Sequence, residues 1–541
     1  MSTMDNQPNT ADPAHRYADT TGRAVMECLA SYGITTVFGI PGTHNLELYR
    51  PLADLGIRAV TNRHEQGSGY GADGWSQRTG LPGVVITTSG PGLQNALSAI
   101  GTAFCESRPL LVISPGTPRG AEFADVGTLH ETKNASAMVD AVAQWSRRVL
   151  TAEAAVEAVH DAFALFTSGR PRPVHIEIPL DLLEEPAGVD PVLRCARPAA
   201  APAEPDPGDV ERAAQLLSGA ERPVIIAGGG ATRAAARVAE LAERLCAPVL
   251  TTTNGKAVLD ERHALSLGAN LRLPAAREYA EDADVLLVVG SKLGEAELWW
   301  PSVAARGSVI RVDIAADQLQ KNLAADVGLL GDSAAALDAL LHRLRPADRP
   351  RPDLDPVRRA IAAEMSAVDA DTVALAEDIA TAIPAGAIVA GDSSQVVYLG
   401  LSNVLTQSAP HGFLYMPTYA TLGYGLPAAI GARIADPDVP VVAVLGDGAL
   451  MFSVNELATA VEQRIDLTIV CVDNGGYAEI RQNEVERGIA PIGVELHQPD
   501  WAALAEAFGA RGRRVERTGL TAAVAESVAA GGVHLLHLRT A

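Results

Sequence analysis

Short runs of apolar, β-branched residues alternate with amphipathic stretches along nearly the whole chain. In the first third, "TVFGI" (36–40), "IRAVTN" (57–62), "GVVITT" (83–88) and "LLVISP" (110–115) read as buried strands, with helical stretches such as "HNLELYRPLADLG" (44–56) between them. The middle third repeats the pattern in "RPVIIAGGG" (222–230), "DVLLVVGS" (284–291) and "SVIRVDI" (308–314). The last third does so in "AIVAGD" (387–392), "VPVVAVLGDG" (439–448) and "LTIVCVDNGG" (467–476). Continuously apolar strands separated by helices predict an α/β chain of parallel sheets covered on both faces. Ligands of such sheets sit outside the carboxyl ends of the strands. The residues that follow each run are therefore the ones to read for chemistry.

Two Pro- and Ala-rich stretches break the alternation, "EEPAGVDPVLRCARPAAAPAEPDPGD" (184–209) and "RPADRPRPDLDP" (345–356). They read as linkers and divide the 541 residues into three domains of ordinary size. The expected layout is a disordered tail over 1–17, a domain over 18–185, a linker over 186–208, a central domain over 209–344, a linker over 345–356 and a C-terminal domain over 357–541. A net charge of −22 argues against nucleic acid and against an anionic membrane surface, since both need clustered Lys and Arg. No apolar run is long enough to span a bilayer, and the N-terminus lacks the order of a secretion signal. Cys28, Cys105, Cys195, Cys246 and Cys471 are scattered and form no CxxC, which points to a reducing cytoplasm.

The strongest chemical signal lies in the last third. Gly446-Asp447-Gly448 follows one buried strand, and Asn474-Gly475-Gly476 follows the next. Asp447 and Asn474 offer oxygen ligands at two strand ends, the glycines free backbone atoms to approach a phosphate, and a helix begins beside them. Mg²⁺ wants near-octahedral oxygen and takes one or two protein ligands together with phosphate oxygens; the helix start favours the anion. A tight turn with a capping Asp and an unrelated Asn-Gly turn is the plainer alternative.

With "GDGALMFSVNELATAVEQRIDLTIVCVDNGGYAEIRQ" on the page, the chain resembles the acetolactate synthase and 2-oxo-acid decarboxylase superfamily, whose members bind thiamine diphosphate through this motif. The resemblance extends to "TVFGIPGTHNLELY", "RHEQGSGYGADGWSQRTG", "TTSGPGLQNALSAIGTAFCESRPLLVIS", "RPVHIEIPLDLL" (172–183) and "TYATLGYGLPAAIGA" (418–432). It implies a pyrimidine-binding N-terminal domain, a Rossmann-like central domain and a diphosphate-binding C-terminal domain. By the same resemblance Asp447, Asn474 and the Gly476 carbonyl hold Mg²⁺, with Gly446, Gly448, Ala449, Tyr477 and Thr88 around the cofactor. Glu65 aligns with the glutamate that hydrogen-bonds the aminopyrimidine and relays a proton to it. Leu422 takes the place of the bulky wedge that bends the cofactor. The segment around Glu65 is stripped of large side chains, which lets two backbones, or a backbone and a flat ring, come close.

Thr43, His44 and His130 are the polar candidates facing the substrate, with His44 and His130 able to donate to a carboxylate or to move a proton. Glu479 follows the motif and is a candidate for assisting protonation or recognising a cationic substrate. Several strings, among them "VFGIPGTHNLELYR", "LHET" and "GEAELWW" (294–300), resemble family members acting on 5-guanidino-2-oxopentanoate, the oxo acid derived from arginine. A guanidinium tail wants a carboxylate and an aromatic face, which Glu297 with Trp299 or Trp300 offers. "IAGGGATRAAAR" (226–237) fails the GxGxxG spacing because Arg233 stands where the third glycine belongs. Acetolactate synthases bind FAD around this domain, and the Gly- and Met-rich segment that the resemblance associates with it is not evident in "TTTNGKAVLDERHALSLGAN" (251–270), so FAD is not expected. The resulting reading is non-oxidative decarboxylation of a 2-oxo acid, with an acetolactate-synthase-like carboligation as the alternative. The resemblance also implies a homodimer or homotetramer with active sites between subunits.

Overall fold

A computed structural model describes residues 19–540; the tail expected over 1–17 lies outside the described residues. Three six-stranded sheets form the scaffold, and every strand pair in them is parallel. Across the N-terminal sheet the order is Arg58–Thr61, Thr36–Gly39, Gly83–Ile86, Leu110–Gly116, Val174–Pro179 and Trp145–Arg148. The C-terminal sheet has the same connectivity, in the order Phe413–Leu414, Ile388–Gly391, Val441–Gly446, Leu467–Asp473, Val533–Arg539 and Arg511–Val515. The central sheet differs. It starts at Pro223–Ala227 and runs outward both ways, through Val249–Thr251 to Ser266–Gly268 and through Val285–Val289 and Ser308–Asp313 to Val327–Leu330. That is the doubly wound order of dinucleotide-binding sheets.

The apolar runs became strands because both faces of each sheet are covered. Val84, Val85, Ile86, Leu111, Val112 and Ile113 are wholly buried, as are Val442, Ala443, Val444, Leu445, Ile469 and Val470. The stretch 44–56 is less regular than its pattern suggests. A 3₁₀ turn over Thr43–Asn45 leads into one α-turn, Leu46–Tyr49, and Pro51, which cannot donate to a continuing helix, follows. The helix Asp355–Ala382 begins inside the second linker-like stretch and is kinked at Asp369.

The bare segment is the helix Glu65–Thr79, and it packs on the helix Gly425–Ala435 of the C-terminal domain. Its glycines are needed there. A β-carbon at Gly74 would stand 2.1 Å from the Ala428 carbonyl oxygen, and one at Gly431 would stand 1.9 Å from the Gly71 carbonyl oxygen. The two backbones touch directly, so no larger residue fits the seam. Glu456 locks its end: this buried carboxylate accepts from the Arg63 amide (3.0 Å), the His64 amide (3.1 Å) and Asn62 Nδ2 (3.0 Å). In the central sheet, glycines serve strand contact instead. The Gly228 and Gly230 amides donate to the Val289 and Gly290 carbonyls at 2.8 and 3.0 Å, and a β-carbon at Gly228 would stand 2.3 Å from the Gly290 oxygen.

Candidate active site

Two clusters of polar residues follow from the shared connectivity. In the N-terminal sheet three adjacent strands end, in turn, before His44, Glu65 and Thr88. Glu65 is 6% exposed, and Asn95 Nδ2 donates to its Oε2 at 2.9 Å. Its other oxygen faces Gly92, where a β-carbon would come within 2.9 Å of Oε1. His44 Nδ1 lies 2.6 Å from Ser89 Oγ, which lies 3.4 Å from His130 Nδ1. The two imidazole rings meet edge to face at 5.2 Å. Burial, and then the neighbouring His130, lowers the pKa of His44, so it is a neutral donor–acceptor near pH 7. The buried hydroxyls of Thr88 and Tyr49 have no partner among the described residues. Thr43 is exposed at the start of its turn.

In the C-terminal sheet, Ile388–Gly391, Val441–Gly446 and Leu467–Asp473 are neighbours, so Ser393, Asp447 and Asn474 lie side by side at their carboxyl ends. The amide group of Asn474 sits 3.1 Å from the Gly476 carbonyl oxygen and 3.2 Å from Asp447 Oδ1. With its nitrogen on that side it would make two hydrogen bonds. With its oxygen there, three acceptors converge, and Asp447 Oδ2 is buried without a partner. Burial, and then the nearby Asp473, pushes the Asp447 carboxyl up to about 6. A group of oxygens that has too few protons and one carboxylate held up by its surroundings fits a hard divalent cation. Gly475 and Gly476 both have positive φ, 87° and 134°, which turns the Gly476 carbonyl to this position. The helix begun by Asp447 is a single turn, Asp447–Leu450, so an anion at this position would meet free amides more than a long macrodipole.

Above this set opens a cavity of about 560 Å³, lined by Gly446, Asp447, Gly448, Ala449, Asn474, Gly476, Tyr477 and Leu422 at one end and by Thr253, Glu297, Trp299 and Arg272 of the central domain at the other. The Tyr477 ring closes on Gly448, where a β-carbon would stand 2.9 Å from it. Asp392 fixes the loop that carries Leu422: its carboxylate accepts from the amides of Ser393 (2.8 Å), Gly423 (3.1 Å) and Gly425 (2.7 Å). Ser393, Ser394, Gln395 and Tyr398 also line the cavity. No motif marks these residues or Asp392 in the sequence, although they sit at the end of a predicted strand in the same sheet as Asp447 and Asn474.

The cavity brings Asp447, Asn474, Gly476, Tyr477, Leu422, Glu297, Trp299 and Glu479 together. Its lining includes no residue of the N-terminal cluster. Glu297 turns one oxygen onto Thr253, accepting from its amide at 2.7 Å and its hydroxyl at 3.1 Å. Burial pushes that carboxyl up to about 7. The Trp299 face is covered by the Arg272 guanidinium at 4.6 Å. Glu479 accepts a hydrogen bond from the Tyr398 hydroxyl.

Family models match in three places. The thiamine pyrophosphate enzyme N-terminal TPP binding domain covers residues 19–143, the central domain 210–340 and the C-terminal TPP binding domain 396–538. A probable 2-ketoarginine decarboxylase of Pseudomonas aeruginosa is 40% identical over 498 residues, 91% of this chain and 88% of its own. The acetolactate synthase isozyme 1 large subunit of Escherichia coli is 31% identical over 477 residues, 85% of this chain and 82% of its own. A probable acetolactate synthase large subunit of Methanocaldococcus jannaschii is 28% identical over 535 residues, 91% of this chain and 87% of its own.

Proposed function

The chain belongs to the thiamine pyrophosphate enzymes, and from that membership we propose that it decarboxylates 5-guanidino-2-oxopentanoate, 2-ketoarginine, to an aldehyde and CO₂. The identity to a 2-ketoarginine decarboxylase across nine-tenths of the chain carries this reading. Thiamine diphosphate, when bound, supplies a carbon nucleophile and an electron sink for the carboxylate that leaves.

The chain's own residues bind, orient and move protons. Asp447, Asn474 and the Gly476 carbonyl would hold Mg²⁺, the donor set for which they fit. The amides of Gly448 and Ala449 would meet the diphosphate, and Tyr477 would close over it. Leu422, on a loop pinned by Asp392, offers an apolar shelf that brings reacting groups together. Glu65 would exchange a proton with a ring nitrogen of the cofactor, held in aim by Asn95. His44 and His130, joined through Ser89, would orient the substrate carboxylate or carry a proton, with Thr43 and Thr88 beside them. FAD has no part in the proposal, because Gly228 and Gly230, after Ala227, are spent on contact with Gly290.

The cavity lacks the N-terminal cluster of its own chain, and Phe123, Val126 and Leu129, next to His130, are 70–72% exposed. Both features support a homodimer or homotetramer in which the Glu65 cluster of one copy covers the Asp447 cluster of another. The five cysteines are unpaired, which suits a cytoplasmic setting; among the described residues no helix is long and apolar enough to cross a membrane.

The test supplies 5-guanidino-2-oxopentanoate alone to protein loaded with thiamine diphosphate and Mg²⁺. One aldehyde per CO₂ supports decarboxylation. Two oxo acids consumed per CO₂, with a joined product, would favour the acetolactate-synthase type of reaction instead.

A further inference from the structure

We propose that Glu479, held by Tyr398, is the group that recognises the cationic tail of the substrate, and that Glu297 and Trp299 are not. The inference rests on the decarboxylase reading above and assigns the tail a place within that cavity.

Three carboxyl groups line the cavity: Glu297, Asp447 and Glu479. Asp447 belongs to the oxygen set beside Asn474 and Gly476. Glu297 already accepts two hydrogen bonds from Thr253, and burial leaves it only partly ionised at neutral pH. Glu479 is exposed at the mouth, and its one hydrogen bond among the described residues comes from the Tyr398 hydroxyl to Oε2. Burial, and then the Glu479 carboxylate itself, keeps the Tyr398 phenol well above its ordinary pKa, so the phenol stays a neutral donor and fixes the carboxylate in place. The open Oε1 and the remaining lone pairs can take the two parallel N–H groups of a guanidinium.

The guanidinium groups already stacked on the indoles strengthen the assignment. Arg272 is the one Lys or Arg in the cavity lining. It donates to the Leu399 carbonyl at 3.0 Å and to Asn403 Oδ1 at 2.7 Å, with its guanidinium over Trp299. Arg277 stacks on Trp300 in the same way, at 4.5 Å. Both indoles thus already carry a guanidinium of the protein, and a second cation arriving there meets a like charge. With both indole faces taken, Glu479 is the lining carboxylate that keeps an oxygen open to the tail.

The experiment compares kcat/KM for 5-guanidino-2-oxopentanoate with that for 2-oxooctanoate, a chain of the same heavy-atom length without charge. Holoenzyme is used, and cofactor binding by each variant is checked by calorimetry. Glu479→Gln should lower the ratio by about 10- to 100-fold, the loss of a charge-assisted pair. Tyr398→Phe should lower it by less, and Glu297→Gln by under about threefold. Glu479→Lys should turn the preference toward an acidic tail, read with 2-oxoadipate. A wild-type ratio in Glu479→Gln that still binds cofactor overturns the inference, as does a larger drop in Glu297→Gln. Wild-type protein that releases CO₂ from neither acid instead overturns the decarboxylase reading, and the inference falls with it.

Discussion

Adding one methyl group at Gly431 probes the seam that joins the N- and C-terminal domains. The new β-carbon would lie 1.9 Å from the Gly71 carbonyl oxygen, 2.8 Å from its carbon and 2.9 Å from the Trp75 nitrogen. All three are backbone atoms of one helix, so no side-chain rotation relieves the clash, and the helices must separate by roughly 1 Å in a close-packed interior. Overpacking of this kind costs about 1–3 kcal/mol, and the backbone nature of the contact favours the upper end. The better helix propensity of alanine returns about 1 kcal/mol, leaving Gly431→Ala destabilised by about 1–2 kcal/mol. Gly219→Ala is the matched control: Gly219 ends the helix Pro207–Gly219, and a β-carbon there meets nothing within 4 Å. That change should leave stability unchanged or raise it by up to about 1 kcal/mol. Urea unfolding of both variants beside the wild type reads the difference. Equal stability of the two would refute the seam as an obligatory glycine contact. Because Glu65 begins the helix that moves, Gly431→Ala should also weaken cofactor binding in calorimetry, and Gly219→Ala should not.

His175 makes a pH-dependent contribution of known sign. It is wholly buried between Ser114 Oγ (2.8 Å) and Ser146 Oγ (2.7 Å), and burial lowers its pKa from 6.5 to about 3. Below pH 6.5 the unfolded chain binds the proton first, so stability falls with pH by about 2 kcal/mol between 6.5 and 5 from this group. A His175→Gln variant should lack that slope, and equal slopes from pH 7 to 5 would remove the assignment. Glu65→Gln should cut CO₂ release by about 10²- to 10⁴-fold, the range of a lost proton-transfer group, while calorimetry finds the cofactor still bound; activity close to wild type would show that Glu65 moves no proton.

Most interior strands were legible because burial on both faces demands continuous apolar runs, as in Val441–Gly446 and Leu467–Asp473. Most edge strands were not, Arg58–Thr61 within "IRAVTN" being the exception. Trp145–Arg148 and Arg511–Val515 have one neighbour each and read as "WSRR" and "RGRRV", with no apolar run to mark them. The Asp447 and Asn474 signal was local, since both follow such runs within one stretch of sequence. The bare segment could be read as a close approach, but its partner could not. Neither Gly431 nor the Glu456 carboxylate that holds the Arg63 and His64 amides carries any local trace of a contact so far along the chain. The Trp299 face looked available to a ligand for the same reason. Its occupation by Arg272 comes from a contact between two loops that no spacing rule encodes.

The central claim is that the two half-sites of different copies meet, and subunit complementation tests it most directly. Glu65→Gln and Asp447→Ala proteins, each inactive alone, are mixed under conditions in which subunits exchange, and CO₂ release from 5-guanidino-2-oxopentanoate is followed. Random pairing leaves one mixed dimer site with both groups intact, so recovery of about a quarter of wild-type activity is expected. Mixtures that exchange subunits yet stay as inactive as their parents would contradict it, because Glu65 and Asp447 would then have to serve one site from within a single chain.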